Sequence, residues 1–282
     1  MFDVYARCRT VPVGSLSITV TDHGPLDGEA VLMIHGWPDT ARLWRHQVPS
    51  IVERGYRVLA PDMPGIGRSS RPDSLDGYRA THMAGDMLAL LDDAGVEQAH
   101  VVAHDWGAAV AWAMAITTPE RVRTLTALSV GHPNAFAAAG LQQMRASWYM
   151  LLFQFDGIAE QWLSQNDWAA FRRLMGGHPE TERWIENLSP EGALTSSLNW
   201  YRANAHPSRL LGRSRDVPVC PVPTMGVWSS GDFALTERQM RDSGDFVDGP
   251  WRYERVEECS HWMQLDAPDH LNRLLLDWLG SS

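Results

Sequence analysis

The sequence predicts an α/β fold: a mostly parallel β-sheet flanked by helices, with an inserted helical cap domain. Three observations predict it. Continuous apolar runs such as Ala30-Val31-Leu32-Met33-Ile34 alternate with helix-like segments, as do strands buried on both faces and joined by crossover helices. His35, Asp62 and Asp105 each follow directly from a strand end, where the functional loops of a parallel sheet gather. From about 133 to 215 the strand pattern stops and aromatic-rich helical segments replace it, among them Phe136, Trp148, Tyr149, Phe153, Trp184, Trp200 and Tyr201. The chain therefore divides into a first core part (1–132), a helical cap (133–215) and a second core part (216–282).

The elements follow in order. Residues 8–22 read as two strands joined at Gly14, the second alternating Leu16, Ile18 and Val20 with Ser17 and Thr19. The run 30–34 is a buried strand. A helix is expected from Ala41 to Arg54, stopped by Gly55. Residues 56–60 form the next strand. Met83, Met87, Leu88, Leu90 and Leu91 have helical spacing, closed by Gly95. Strands are expected at 99–103, 122–130, 223–228 and about 252–256, and a final helix from about Pro268 to Leu279.

Composition narrows the function. A length of 282 residues with 44% hydrophobic residues suits one domain with an insertion. A net charge of −10 argues against nucleic acid and anionic membranes as partners. The start, Met1 to Arg7, lacks the basic-then-apolar order of a signal peptide, and no apolar stretch is long enough to span a bilayer. Cys8, Cys220 and Cys259 form no C-x-x-C pair, which fits a reducing cytoplasm. Without a His-Glu-x-x-His motif or a compact Cys/His cluster, no metal or other cofactor is expected. Gly65-Ile66-Gly67 does not extend to a dinucleotide fingerprint, because Ser70 occupies the third glycine position and no helix starts there.

The chemistry centres on Ala103-His104-Asp105-Trp106-Gly107. A buried strand stops abruptly, small residues follow, and a helix begins: the pattern of a strand-to-helix elbow that lifts one side chain above the sheet. Serine is the usual occupant of such an elbow, and here it is Asp105. An aspartate at this point serves either as a helix cap or as a nucleophile that is ionised without help from a base. The downstream residues bear on that choice. An ester on Asp105 would need a base and a carboxylate to orient it. His261 lies in a loop between the last strand and the last helix, and Asp232 ends the strand before it. The order nucleophile, acid, histidine is that of the α/β-hydrolases. The backbone N–H groups of Trp37 and Trp106 are candidate oxyanion donors. An apolar substrate pocket is expected from His35, Trp37, Trp106, Met150, Phe153 and Trp262.

Over nearly its whole length the chain resembles the epoxide hydrolases of the α/β-hydrolase fold. The resemblance is carried by His35-Gly36-Trp37-Pro38, Leu43-Trp44-Arg45-His46-Gln47, Asp62-Met63-Pro64-Gly65-Ile66-Gly67-Arg68-Ser69 and His104-Asp105-Trp106-Gly107. Ser129-Val130-Gly131-His132-Pro133, Leu198-Asn199-Trp200-Tyr201-Arg202 and His261-Trp262-Met263-Gln264 extend it. It implies that Tyr201 and Tyr149 hydrogen-bond the epoxide oxygen, and that a small apolar epoxide and water are the reactants. A homodimer is compatible with it. Gly131 stands where the family commonly has proline, a departure confined to the hinge into the cap. Two other readings share the scaffold. A haloalkane dehalogenase would use the same Asp105, His261 and Asp232, with indole donors for a halide in place of the tyrosines. A non-catalytic ligand-binding protein would have no need of the triad.

Overall fold

The computed structural model describes residues 7–205 and 217–281. Its centre is an eight-stranded sheet of order β1-β2-β4-β3-β5-β6-β7-β8. The strands are β1 (Arg7–Val13), β2 (Leu16–His23), β3 (Ala30–Ile34), β4 (Arg57–Pro61), β5 (Ala99–His104), β6 (Val122–Leu128), β7 (Thr224–Gly231) and β8 (Trp251–Ser260). β1 and β2 run antiparallel to each other, as do β2 and β4, and every remaining pair is parallel. All residues of β3, β4 and β5 are buried, which is why they read as mainly apolar runs, broken only by Arg57, His100 and His104. The chain moves from β3 outward to β4 and returns to place β5 on the other side of β3. The crevice of a doubly wound sheet lies at such a reversal, and here it holds the ends of β3 and β5.

Helices cover both faces. α1 is Val48–Val52, α2 Ala80–Asp93 and α3 Trp106–Thr117. Between β6 and β7 come α4 (Pro133–Ala138), α5 (Leu141–Ala146), α6 (Tyr149–Leu152), α7 (Ile158–Leu174), α8 (Thr181–Leu188) and α9 (Ala193–Asn204). The second core part adds α10 (Glu237–Arg241), α11 (Met263–Asp266) and α12 (Pro268–Gly280). The cap boundary expected at 215 lies outside the described residues. Among the described residues no helix is long and apolar enough to cross a membrane.

Several elements differ from the sequence expectation. The helix expected over 41–54 is broken into a 3₁₀ segment, Ala41–His46, and α1. Pro49 stands in the first turn of α1, where its missing N–H and fixed φ start a new helix instead of continuing the old one. β6 ends at Leu128, before Val130, because Ser129 turns into the left-handed region at φ 68°. β8 is twice as long as expected. It is the sheet's edge, and its outer half is charged, with Arg252 paired to Glu254 and Asp277 and Arg255 paired to Glu257. Such residues weaken a strand signal yet suit an edge that must not recruit further strands. α7 is interrupted where Asn166, Asp167 and Trp168 adopt φ of 51°, 55° and 60°.

The hinge into the cap explains the departure at Gly131. Its N–H donates to Gln239 Oε1 (2.6 Å), and the next N–H, of His132, donates to Ser243 Oγ (2.8 Å). Proline at 131 has no N–H to give. Gln239 in turn donates to the Ser129 carbonyl (2.8 Å), so α10 is stitched to the end of β6.

One buried group opposes folding. Asp86 on α2 is 7% exposed and its Oδ2 has no hydrogen-bond partner among the described residues. Burial pushes its carboxyl up from 3.8 to about 6, against a small opposing pull from His82. The unfolded chain therefore releases this proton before the folded one does, and the folded state loses stability as pH rises from about 4 to about 6. Asp86→Asn should gain on the wild type by on the order of 2–3 kcal/mol between pH 4 and pH 8 in urea unfolding. A pH-independent difference between the two proteins would contradict this account of Asp86.

Candidate active site

The elbow forms because the backbone there can do what most backbones cannot. Asp105 sits at φ 53°, ψ −124°, a strained conformation for a side-chain-bearing residue, at the junction of β5 and α3. Two glycines make room for it. A Cβ on Gly36 would lie 2.4 Å from Asp105 Cβ, and one on Gly107 would lie 2.4 Å from the Ile34 carbonyl oxygen. Asp105 occupies the cap position of α3, yet its side chain makes no capping bond. It takes no N–H from the second or third residue of α3, as a capping side chain would. Its Oδ1 instead accepts the Trp37 backbone N–H (2.9 Å), and the Trp106 N–H adds a second donor.

His261 and Asp232 converge on the same point. His261 Nδ1–H donates to Asp232 Oδ2 (2.8 Å), and His261 Nε2 lies 3.7 Å from Asp105 Oδ2. The Asp232 carboxylate is fully buried, and its Oδ1 accepts the N–H groups of Ala234 and Leu235, each at 2.9 Å. That turn sets which way the acid faces. Below the base, His104 packs its ring 4.4 Å from the His261 ring and donates from Nε2 to the His261 carbonyl (3.0 Å). Burial lowers His104 well below its ordinary pKa and keeps it neutral.

The two tyrosines complete the chamber from the cap side. Tyr201 sits on α9, which is tied to the core along its length. Trp37 Nε1 donates to Ser197 Oγ (3.0 Å), Trp200 Nε1 donates to the Pro64 carbonyl (3.0 Å), and Ser196 Oγ meets the Tyr78 hydroxyl (2.8 Å). Tyr149, on the short helix α6, packs its ring 6.0 Å from that of Tyr201. Phe153 packs against Trp37 and both tyrosines at 4.9–5.5 Å between ring centres.

The charges follow from this burial. Burial pushes Asp105 above the usual carboxylate range, while the His261 charge and the N–H groups of Trp106 and Trp37 pull it back. Burial pulls His261 down, and the carboxylates of Asp232 and Asp105 overcome it, so its pKa ends raised. Both phenols are driven far above their ordinary value, first by burial and then by neighbouring groups that include the Asp105 charge. They stay protonated and remain donors.

Trp37, Asp105, Tyr149, Leu174, Met175, Tyr201, Phe233, Ala234, His261 and Trp262 enclose a chamber of about 10 Å³, the size of one water. Leu174, Met175, Phe233 and Trp262 also line an open outer cleft of about 1050 Å³, which reaches none of the triad. Of the expected pocket residues, Trp37 and Trp262 line the chamber. His35 does not. It is fully buried beneath the loop, its Nε2 accepting the Met63 N–H (2.8 Å) and its Nδ1 donating to the Gly36 carbonyl (2.9 Å). Trp106 contributes its backbone, while its ring lies edge-on to Tyr201 at 5.1 Å. Phe153 stands one layer behind the tyrosines. Met150 is buried but is not among the residues that line the chamber. Leu174, Met175, Phe233 and Ala234 were not foreseen. Phe233 and Ala234 adjoin Asp232 and could have been found that way, but Leu174 and Met175 carry no signal beyond an ordinary helix end.

Comparison with known proteins gives the family. The model for the alpha/beta hydrolase fold family matches residues 29–268, and the chain belongs to that family. Within it the chain is 30% identical to the AB hydrolase superfamily protein YfhM of Bacillus subtilis, over 97% of this chain and 98% of that one. It is 29% identical to Epoxide hydrolase A of Mycobacterium tuberculosis, over 96% of each chain. It superposes on the crystal structure of Epoxide Hydrolase A from Mycobacterium thermoresistibile with a TM-score of 0.82, 27% identity and coverage of 97% of this chain and 98% of that one.

The glycine under the elbow offers a direct check. Gly36→Ala should destabilise the fold by about 1–3 kcal/mol in urea unfolding, as overpacking does. Gly85, exposed on α2 with nothing within 4 Å of a Cβ, supplies the control. Gly85→Ala should be neutral or stabilising by up to about 1 kcal/mol. Equal effects at the two positions would show that Asp105 does not need the close approach of Gly36.

Proposed function

We propose that this protein hydrolyses apolar epoxides to vicinal diols through a covalent ester on Asp105. The observation that carries the reading is the pair of buried, protonated phenols, Tyr149 and Tyr201, that wall the chamber holding Asp105. An Asp105 carboxylate oxygen attacks an oxirane carbon. As that C–O bond breaks, the negative charge on the oxygen is shared by the two phenols, one of which gives up its proton. In the second half-reaction His261 takes a proton from water, with Asp232 fixing its ring and stabilising the imidazolium. The resulting hydroxide attacks Asp105 Cγ, and the oxyanion is met by the N–H groups of Trp37 and Trp106. The ester C–O bond breaks, the diol takes the proton from His261, Asp105 retains an oxygen from water, and the second water proton, left on its carboxyl, returns to the phenol that gave one up.

Halide release is the less suited chemistry here. The Trp106 indole, the first halide donor such an enzyme would use, meets the Tyr201 hydroxyl, and the indole N–H groups of Trp37, Trp184, Trp200 and Trp262 are given to protein acceptors. Names of related proteins support the epoxide reading. The free cysteines Cys8, Cys220 and Cys259 support a reducing, cytoplasmic setting.

The test uses a panel of apolar epoxides and haloalkanes, with diol and halide assayed separately. Wild-type protein should release diol and little halide. His261→Gln should gain the mass of one epoxide on Asp105 and release no diol. In that background Tyr149→Phe and Tyr201→Phe together should slow adduct formation by roughly ten- to a thousandfold. Fast halide release without diol would overturn the reading, and so would unchanged adduct formation without the phenols.

A further inference from the structure

One buried carboxylate outside the triad touches both halves of the molecule. Asp39 follows the Trp37-Pro38 turn and is 5% exposed. Its Oδ1 accepts the indole N–H of Trp184 (2.8 Å), on cap helix α8, and its Oδ2 accepts the indole N–H of Trp262 (2.9 Å), the residue after the base His261. The two indoles pack on each other with ring centres 4.3 Å apart. Trp262 then meets the His261 ring edge-on at 5.1 Å. His178 extends the stack on the cap side, 4.9 Å from Trp184, and is held by Asp266 at 3.3 Å.

We propose that Asp39 is a positioning residue for ester hydrolysis: by holding Trp184 and Trp262 at once it fixes the His261 ring to the cap. The inference rests on the two-step reading above. A carboxylate suits the task because it offers two acceptor oxygens and no donor, one for each indole. A side chain this buried would be costly without such partners. Burial raises Asp39 to about 7 even against the two indole donors and the charges of His261 and His178, so the two-acceptor form holds above that pH, where the assays below are run. The indole of Trp262 also lines both the chamber and the outer cleft. Holding it still therefore keeps the wall between them in place while His261 works.

Asp39→Asn keeps the shape but presents one acceptor and one donor, so one indole must be released. Trp184→Phe keeps the ring and removes the cap's bond. Each protein is mixed with an excess of an epoxide that alkylates the wild type, and adduct formation and adduct decay are followed by mass, counting only labelled molecules so that unfolded protein drops out. Asp39→Asn should slow decay about tenfold and Trp184→Phe about threefold, with formation within about threefold of wild type, and the double variant should be no slower than Asp39→Asn alone. Additive losses, or formation and decay slowed equally, would overturn the latch. If no epoxide alkylates the wild type, the functional reading fails on its own account. The latch is then read from exchange of ¹⁵N-labelled indole N–H groups, where Trp184 and Trp262 should be protected in the wild type and at least one exposed in Asp39→Asn. Equal protection in both proteins would overturn it.

Discussion

A carboxylate buried away from bulk water is the constraint on which this structure turns. Asp105 is 7% exposed, and among the described residues no arginine is paired with it. Burying such a charge is costly unless donors and opposite charge replace the lost water. The fold supplies them from three places at once: the Trp37 N–H from the loop after β3, the Trp106 N–H at the start of α3, and His261 from the loop after β8. That convergence requires β3 and β5 to be neighbours and the loops to pass within van der Waals contact of the elbow. The sheet order and the glycine at 36 are consequences of the same requirement.

The division between core and cap follows. At the chamber the core supplies the charged groups, Asp105, His261 and Asp232, and the backbone donors. The cap supplies neutral donors, the phenols of Tyr149 and Tyr201, whose burial keeps their protons on. Donors of that kind are effective only if their position does not wander, and the bonds from Trp37, Pro64 and Tyr78 to α9 hold Tyr201 where the core needs it. The outer cleft of about 1050 Å³ shares Leu174, Met175, Phe233 and Trp262 with the chamber of about 10 Å³ beside Asp105.

The parts that could be read from the sequence were those with a repeating or positional signal. Buried parallel strands announce themselves as apolar runs, and strand ends followed by Asp or His locate the triad. The elbow was legible because small residues crowd around one polar one. What escaped has a common cause. The break at Gln47, the charged half of β8 and the bend at Asn166 are decided by a single proline, by an edge position and by tertiary context, not by periodicity. His35 illustrates the limit at the site. Its place after a buried strand suggested substrate contact, but both ring nitrogens are spent on backbone groups of neighbouring loops. Asp39 escaped for the converse reason: its partners lie 145 and 223 residues away, and no local pattern marks them.

The central claim is that Asp105 attacks carbon and His261 acts only afterwards. A single turnover in water enriched in heavy oxygen tests it directly, with enzyme in excess over an epoxide. The account predicts that the first diol carries ordinary oxygen, taken from the Asp105 carboxylate, and that the label appears in Asp105 when the protein is digested and weighed. Heavy oxygen in the first-turnover diol, with an unlabelled Asp105, would mean that water opens the ring and that Asp105 is not the nucleophile.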